Sequence, residues 1–444
     1  MRQIPALTRR LAQTSSFKMS IFAAITGFLV YSSMYAFRKP FAVATFSGEE
    51  FFGFDYKVWL ILAQTLGYMA SKFFGIKMIS ELSNSGRAWL IVGLISVSWL
   101  ALLGFAVLPA PLGLVCFLIN GFPLGLIWGI VFHYMEGRKF TEMMGSMLAA
   151  SFVFSSGFVK SIGQYLLVNF SISEHWMPFA TGAIFFPLLI CSVFLLNHIP
   201  EPSEEDKLLR SPRSSMSGKS RMDFFKAFKP GLIFLILVYM MLTGLRDLRD
   251  NFVVEIWRGL NIPVEPELLT QTEIPITLAL LVMMSLLVLV KNNKKAFYLN
   301  HWIIIAGFAV SILSTLGLQS GLIQPFSWMV LAGTGVYMAY IPFNCLLFDR
   351  LIATFKYAGN VGFLMYLVDS FGYLGSSMVL VAKQFGQFEN LSWLNFYINS
   401  LLLFLSLSLI LMLGSYLYFL KKSKIKKESY SFSQTSLTSN EFTT

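Results

Sequence analysis

Residues 19–45 read MSIFAAITGFLVYSSMYAFRKPFAVAT, a run in which Arg38 and Lys39 are the only charged residues. A helix needs about 20 mostly apolar residues to cross the hydrocarbon core of a bilayer, and this run is long enough. A charge in the middle of such a helix costs about 2.5–3.5 kcal/mol on insertion scales, so it usually faces water or a partner. The run therefore predicts a spanning helix with a charged face inside the protein.

Further apolar runs follow along the chain. Their approximate bounds are 57–79, 88–108, 111–134, 143–168, 176–198, 230–252, 268–290, 296–318, 325–348, 357–383 and 391–420. Only 13% of the 444 residues are charged and 56% are hydrophobic, whereas soluble domains carry about 25% charged residues. The sequence predicts an all-α membrane protein with twelve transmembrane helices.

Other classes of protein find little support. The amino-terminal apolar run is too long for a signal peptide and has no small-residue cleavage site, so we expect it to remain as the first span. The three cysteines, Cys116, Cys191 and Cys345, lie in apolar runs and have no metal-binding spacing. There is no nucleotide-binding or nucleophile motif. We therefore expect neither an enzyme nor a cofactor, and ATP-driven transport has no support in this chain.

Lysine and arginine are concentrated in alternate loops. One set of loops and tails contains Arg2, Arg9, Arg10, Lys18, Arg87, Arg138, Lys139, Lys207, Arg210, Arg213, Lys219, Arg221, Lys226, Lys291, Lys294, Lys295, Arg350, Lys356 and the lysines of 421–427. The other set contains only Lys57, Arg258 and Lys383. The positive-inside rule then predicts that both termini are cytoplasmic. Much of the net charge of +11 is a topology signal, so we expect no nucleic-acid partner.

The chain divides into two similar halves. We expect a cytoplasmic tail, a six-helix half, a cytoplasmic linker, a second six-helix half and a disordered cytoplasmic tail at 1–18, 19–198, 199–229, 230–420 and 421–444. The sequence VYSSMYAFR at 30–38 has a counterpart in VYMMLTGLR at 238–246, with the arginine in the same register. Two pseudo-symmetric six-helix halves with substrate bound between them form the major facilitator arrangement.

The first helix carries a candidate anion site. Tyr31, Tyr35 and Arg38 are spaced i, i+4 and i+7, so they share one helix face. The planar guanidinium binds phosphate or carboxylate bidentately, and tyrosine hydroxyls beside it suit the same ligands. We expect Lys39 to point elsewhere and to extend toward the membrane surface.

The seventh helix carries a second candidate site in the sequence GLRDLRDNF. Tyr239 and Arg246 repeat the register of the first helix, and Arg249 lies one turn further on. We expect at least one of these arginines to bind the ligand, and the repeat favours Arg246. The alternative is that Arg246 pairs with Asp250, or Asp247 with Arg249, to neutralise a helix end.

Two other helices carry polar residues inside apolar runs. Tyr68 and Lys72 belong to a polar stripe in the second helix; the lysine either lines a cavity or extends to the cytoplasmic surface. Asp369 lies near the middle of the eleventh helix, where it requires a cation or a proton. Lys160 in the fifth helix is one candidate partner across the halves, and one of the arginines is the other.

At these residues the chain resembles the organophosphate:phosphate antiporters of the major facilitator superfamily, which include glycerol-3-phosphate and hexose-phosphate transporters. The similar segments are YAFRKPFA at 35–42, SKF at 71–73, SELSN at 80–84 with GR at 86–87, YIP at 340–342 and FGYLG at 371–375. The chain also resembles a bacterial family of membrane proteins known only as a domain of unknown function.

The resemblance implies that Arg38 and a seventh-helix arginine, Arg246 or else Arg249, clamp an anion, with Lys72 matching the family's second-helix lysine. This chain departs from the antiporters because it has Phe154 and Ser155 where their fifth helix has a histidine, and Asp369 where a small residue is usual.

From these residues we expect a secondary active transporter of a small anionic organic solute, for which a phosphate ester is one candidate. Arg38, Arg246, Arg249, Lys72, Tyr35, Tyr68 and Tyr239 are the candidate ligands. Asp369 and Lys160 are candidates for coupling or an ion pair. Exchange against inorganic phosphate or proton coupling would drive the transport. We expect the protein to be a monomer in the bacterial inner membrane. The alternative is a transporter-like sensor that binds an anionic ligand and signals to a partner.

Overall fold

A computed structural model describes residues 4–80, 86–135, 138–202, 206, 216, 218–357, 361–386 and 388–440, and only the backbone of 76–80 and 425–440. Most of the chain forms long helices. They are α1 (Ser16–Tyr35), α2 (Tyr56–Ser80), α3 (Arg87–Val107), α4 (Ala110–Met135), α5 (Thr141–Phe170), α6 (Met177–Leu196), α7 (Gly218–Asn251), α8 (Pro266–Val288), α9 (Asn293–Gln319), α10 (Pro325–Cys345), α11 (Val361–Phe385) and α12 (Trp393–Asn440).

Short elements lie at the ends of these helices. They are the helices Pro5–Ala12, Val253–Gly259 and Leu347–Phe355, the 3-10 helix Pro40–Val43, and the antiparallel strands β1 (Glu50–Phe51) and β2 (Phe54–Asp55). The two strands form a small hairpin in which Glu50 pairs with Asp55 and Phe51 with Phe54.

Eleven of the described helices are long and apolar enough to cross a membrane. The twelfth long helix, α2, has 25 residues. It is less apolar because it carries Gln64 and Lys72, both of which are buried against the rest of the protein. The predicted all-α membrane architecture is therefore confirmed, and the polar side chains of α2 point inward.

Contacts at the two ends of the bundle show that successive long helices alternate in direction. At one end, the rings of Phe54 in the hairpin and Phe385 at the end of α11 have centroids 4.2 Å apart. At the other, Arg350 Nη2 lies 3.1 Å from Glu142 Oε1 near the start of α5. We call the end with the hairpin the hairpin face. The opposite end is the linker face, because the linker leaves α6 there.

Close helix contacts depend on a few glycines. A Cβ added at Gly121 in α4 would lie 2.2 Å from the carbonyl oxygen of Gln64 in α2. Between the halves, a Cβ at Gly157 in α5 would lie 2.6 Å from the carbonyl oxygen of Leu269 in α8. Small residues let helix backbones approach closely in membranes. These positions therefore fix how the helices around the centre of the molecule pack.

The predicted boundaries differ from the structure at the linker and the carboxyl end. The last part of the expected linker, 218–229, is the first part of α7, which breaks at Phe228 (φ −121°, ψ 15°) before Pro230, since proline removes a backbone donor. The expected start of disorder at 421 falls inside α12. Residues 81–85, most of the linker at 203–205 and 207–215, and 441–444 lie outside the described residues.

Candidate functional site

A small cavity of about 40 Å³ lies between the two halves. The N-terminal half contributes Tyr31, Tyr35, Arg38, Lys39, Tyr68, Lys72, Trp128 and Phe152 to its lining. The C-terminal half contributes Arg246, Asp247, Asp250, Tyr337, Tyr340, Asp369 and Tyr373. Charged and aromatic side chains from both halves therefore meet in one place, as the internal repeat predicts for the two arginines.

Arg38 is held at the cavity by its backbone. The chain leaves α1 just before it, and its carbonyl oxygen accepts a hydrogen bond of 3.1 Å from Gln64 Nε2. The guanidinium lies over the ring of Tyr68, with its central carbon 3.9 Å from the ring centroid. Arg38 is 8% exposed and its Nε has no hydrogen-bond partner. Among the described residues, no carboxylate forms an ion pair with it.

Arg246 occupies the matching position in the second half, but it already has an anionic partner. Its Nη2 lies 2.7 Å from Asp247 Oδ1, and its Nη1 donates to the hydroxyl of Tyr340. The other carboxylate oxygen of Asp247 accepts a hydrogen bond of 2.7 Å from Ser376. Arg246 therefore lines the cavity as part of a neutral pair within its own half.

Aromatic rings lie between the two guanidiniums. The guanidinium of Arg38 stacks on the ring of Tyr68. The ring centroids of Tyr68 and Tyr373 are 4.9 Å apart. The central carbon of Arg246 lies 5.9 Å from the centroid of Tyr373. The two arginines predicted to work together thus approach the same tyrosine pair from opposite halves.

Arg249 lies away from the cavity. It is 2% exposed, and its Nη1 lies 2.7 Å from Glu273 Oε1 in α8. This residue was the alternative second anion ligand, and the structure places Arg246 on the cavity in its stead. Neither predicted neutralising pair, Arg246 with Asp250 or Asp247 with Arg249, is present in the described ion pairs. The sequence spacing did not reveal Glu273 because it lies on another helix.

Asp369 bonds across the halves. Its Oδ2 lies 3.3 Å from Lys72 Nζ, and its Oδ1 accepts a hydrogen bond from the hydroxyl of Tyr239. The expected partner was Lys160 or one of the arginines, and both expectations are wrong. Of the two interpretations of Lys72, the structure supports the one in which it lines the cavity.

Lys160 instead binds Asp250, together with Lys39. Both lysines form ion pairs with this carboxylate, and Ser156 donates to it as well. Lys39 also donates to Asn251 Oδ1 at 3.0 Å. The expectation that Lys39 extends to the membrane surface is wrong, because a lysine next to Arg38 reaches the cavity once the chain has left the helix. Sequence spacing alone gave no signal for this three-residue cluster.

Further ion pairs tie the halves together at both faces. At the hairpin face, Lys57 Nζ lies 2.6 Å from Glu255 Oε1. At the linker face, Arg350 bonds both carboxylate oxygens of Glu142 at 3.1 Å. The cavity therefore lies between two layers of contacts across the halves.

Several tyrosine hydroxyls face the cavity without a partner. Tyr35, Tyr337 and Tyr373 are buried, and the described residues offer their hydroxyls no hydrogen bond. The hydroxyls of Tyr134 and Tyr397 also have no partner, but they are fully enclosed by protein atoms, whereas these three are not. They are therefore open to the cavity and able to donate to a ligand.

The cavity has more cationic than anionic side chains. Its lining includes four cations, Arg38, Lys39, Lys72 and Arg246, and three carboxylates, Asp247, Asp250 and Asp369. Lys160, which also binds Asp250, adds a further positive charge at its edge. In the described part of the chain, no group of three or more His, Cys, Asp or Glu side chains is arranged to hold a metal ion. The arrangement suits a small organic anion.

Two six-helix halves around a central cavity make up the major facilitator fold, and solved structures show the same fold. The human organic anion transporter MFSD10 (TETRAN) matches with a TM-score of 0.54 and 11% identity over 91% of this chain and 100% of that one. A D-xylose–proton symporter matches at 0.52 and 12%, over 88% and 97%. A bacterial homologue of the human drug peptide transporters PepT1 and PepT2 matches at 0.60 and 12%, over 92% and 100%.

The chain belongs to the family of unknown function DUF5690, whose sequence profile matches residues 40–422. This match covers both halves but begins just after Arg38 and Lys39, so it includes neither of them. None of the curated proteins compared with the sequence matches it. The comparisons therefore support the major facilitator fold but neither an organophosphate substrate nor antiport, and the substrate must be argued from the cavity.

Proposed function

We propose that this protein is a secondary transporter of a small organic anion, whose acidic group binds Arg38 in the central cavity. One observation carries the proposal. Every other cation that lines the cavity is paired with a described carboxylate, whereas Arg38 has none. A buried guanidinium without a counterion is costly, so a ligand carboxylate or phosphate that enters the cavity gains a partner that no internal group competes for.

The guanidinium fork makes this attraction selective. Hydrogen bonds to charged groups contribute about 1.5–3 kcal/mol each, and a fork makes two in parallel. Tyr35 and Tyr373 add free hydroxyl donors beside the arginine. Together they form a site that prefers an anion to a neutral molecule of the same shape.

Arg246 and Lys72 act as ligands at a cost. Each must share or leave its own aspartate, Asp247 or Asp369, to bond a substrate. The gain from these contacts is therefore partly offset, which keeps binding weak enough for release on the far side. Exchange against inorganic phosphate is one candidate driving reaction, because the returning anion again balances the charge of Arg38. Protonation of Asp369 is the other, because the removed negative charge would balance the second charge of a dianionic substrate.

Transport requires that the cavity open alternately to each face. The ion pairs at the hairpin face, such as Lys57 with Glu255, and at the linker face, Arg350 with Glu142, break in opposite phases as the halves rock. We place the linker face and both termini in the cytoplasm of a bacterium, because lysine and arginine are concentrated there.

The test is uptake of labelled organic anions into liposomes containing the purified protein, together with thermal shifts in detergent. A bound ligand stabilises the protein by RT ln(1 + [L]/Kd). We expect carboxylates or phosphate esters to give both signals, and Arg38→Lys to lose them because lysine has no fork. Arg258→Lys, an exposed arginine at the hairpin face, is the matched control and should keep them.

Three outcomes separate the possibilities. Anion uptake that Arg38→Lys abolishes supports the proposal. Anion binding with no flux identifies the sensor alternative. A panel of anions with no thermal shift and no uptake, while the protein remains folded, refutes the proposal.

A further inference from the structure

The cavity differs in chemistry from one end to the other. Rise along the helices is about 1.5 Å per residue, so Arg38 and Asp250, near the ends of α1 and α7, lie toward the hairpin face. Three other lining residues lie between the midpoint of their helix and the linker face: Lys72 in α2, Trp128 in α4 and Asp369 in α11. The unpaired guanidinium, which stacks on Tyr68 near the midpoint of α2, therefore lies on the hairpin side of the Lys72–Asp369 pair.

At the linker end, the polar groups already have partners. Lys72 pairs with Asp369, and Tyr239 donates to the same carboxylate. A ligand hydroxyl at this end could form a hydrogen bond only by breaking one that the protein already has. Either the hydroxyl or the displaced protein group would then be left without a partner, which is costly in such a site.

The linker side of the cavity also has apolar aromatic side chains in its lining. Trp128 stacks on Phe132 with centroids 5.0 Å apart and an interplanar angle of 6°, and it also lines the cavity. Phe152 lines the cavity from α5, with its centroid 5.1 Å from that of Tyr31. Two half-buried aromatic rings, Trp128 and Phe152, thus line the cavity on its linker side, and we call them the aromatic wall.

We infer that the transported anion carries its acidic group at one end only and has a flat apolar body, such as an aromatic ring. The acidic group binds Arg38, and the ring lies against Trp128 and Phe152. A second negative group at the opposite end would meet the Lys72–Asp369 pair, where no cation is left without a counterion to bind it. This inference rests on the proposed function and names its substrate class.

The experiment compares ligands with the same acidic group and different bodies. Phenyl phosphate is set against glycerol 3-phosphate, and benzoate against glycerate, by thermal shift and by competition for uptake. We expect the aromatic member of each pair to bind about tenfold more tightly, since aromatic contacts add to the burial of apolar area. Terephthalate, with a second carboxylate opposite the first, should bind more weakly than benzoate.

Variants connect this preference to the wall. Trp128→Ala should reduce the ratio of aromatic to polyol affinity severalfold. Phe152→Leu is a milder change and should reduce this affinity ratio less. It keeps the test informative if Trp128→Ala does not fold. Trp89→Ala removes a tryptophan that is 61% exposed, far from the cavity lining, and should leave the ratio unchanged.

Failure of this inference and failure of the proposed function look different. If polyol anions bind as tightly as aromatic ones, or terephthalate as tightly as benzoate, the substrate class is wrong while anion transport through Arg38 stands. If no anion of either kind binds, the proposed function fails as well. Equal preference in wild type and Trp128→Ala would show that the wall does not contact the ligand.

Discussion

Asp250→Asn should open the hairpin face of the protein. The Asp250 carboxylate bonds both Lys39 and Lys160, and so joins α7 of one half to α5 and to the segment after α1 of the other. The three side chains are between 4% and 9% exposed. Asparagine keeps the shape but removes the charge, and it leaves two buried ammonium groups without a counterion.

The magnitude follows from that burial. Removing one partner of a buried ion pair costs about 3–5 kcal/mol. When the halves separate at the hairpin face, water reaches both lysines and part of this cost is recovered. If about half is recovered, the open state gains about 2 kcal/mol, which changes the ratio of open to closed molecules about 30-fold.

Spin-label distances across the hairpin face would measure this change. Phe52 and Leu322 are 78% and 83% exposed and belong to opposite halves, so each can be replaced by a labelled cysteine. The native cysteines to be removed first are Cys116, Cys191 and Cys345. We expect Asp250→Asn to add or enlarge a population at longer distance.

The control is Asp223→Asn, which removes an exposed carboxylate at the other end of α7 and should leave the distances unchanged. Identical distance distributions for wild type and folded Asp250→Asn would refute the reasoning. In that case the three-residue cluster would be a packing feature that does not hold the halves together.

Other consequences can be measured with the same purified protein. Asp369→Asn should raise anion affinity several-fold in a thermal-shift titration, because it frees Lys72 and removes a negative charge from the cavity; lower affinity would show that Asp369 helps to hold the ligand. Arg249→Met should lower thermal stability strongly, by about 3–5 kcal/mol, because it strands the buried Glu273, and the double variant with Glu273→Met should recover most of the loss; no recovery would indicate a role other than charge pairing. Gly121→Ala should destabilise by about 1–3 kcal/mol, since the added methyl would meet the Gln64 carbonyl at 2.2 Å; an unchanged melting temperature would show that α2 and α4 can separate freely.

The fold was readable from the sequence because the bilayer constrains it so strongly. Apolar length predicted the spanning helices, and the repeated Val-Tyr and arginine register predicted that residues of α1 and α7 face the same space. Arg38 and Arg246 both line the cavity, as their shared register predicts. Their role in binding remains a prediction.

The partners of the charged residues could not be read in the same way. Spacing along one helix shows which side chains share a face, but it does not show which residue of another helix lies opposite. Arg249 meets Glu273 and Lys160 meets Asp250 across helix contacts of this kind. Lys39 was misassigned because the helix ends at Tyr35, so helical periodicity no longer applied to it.

An experimental structure determined with phenyl phosphate would test the central claim most directly. We expect phosphate oxygens in the cavity between the halves, about 2.7–3.2 Å from the terminal nitrogens of Arg38, with the guanidinium still stacked on Tyr68. A saturated complex with the ligand elsewhere, or an Arg38 that bonds a carboxylate of the protein itself, would contradict it.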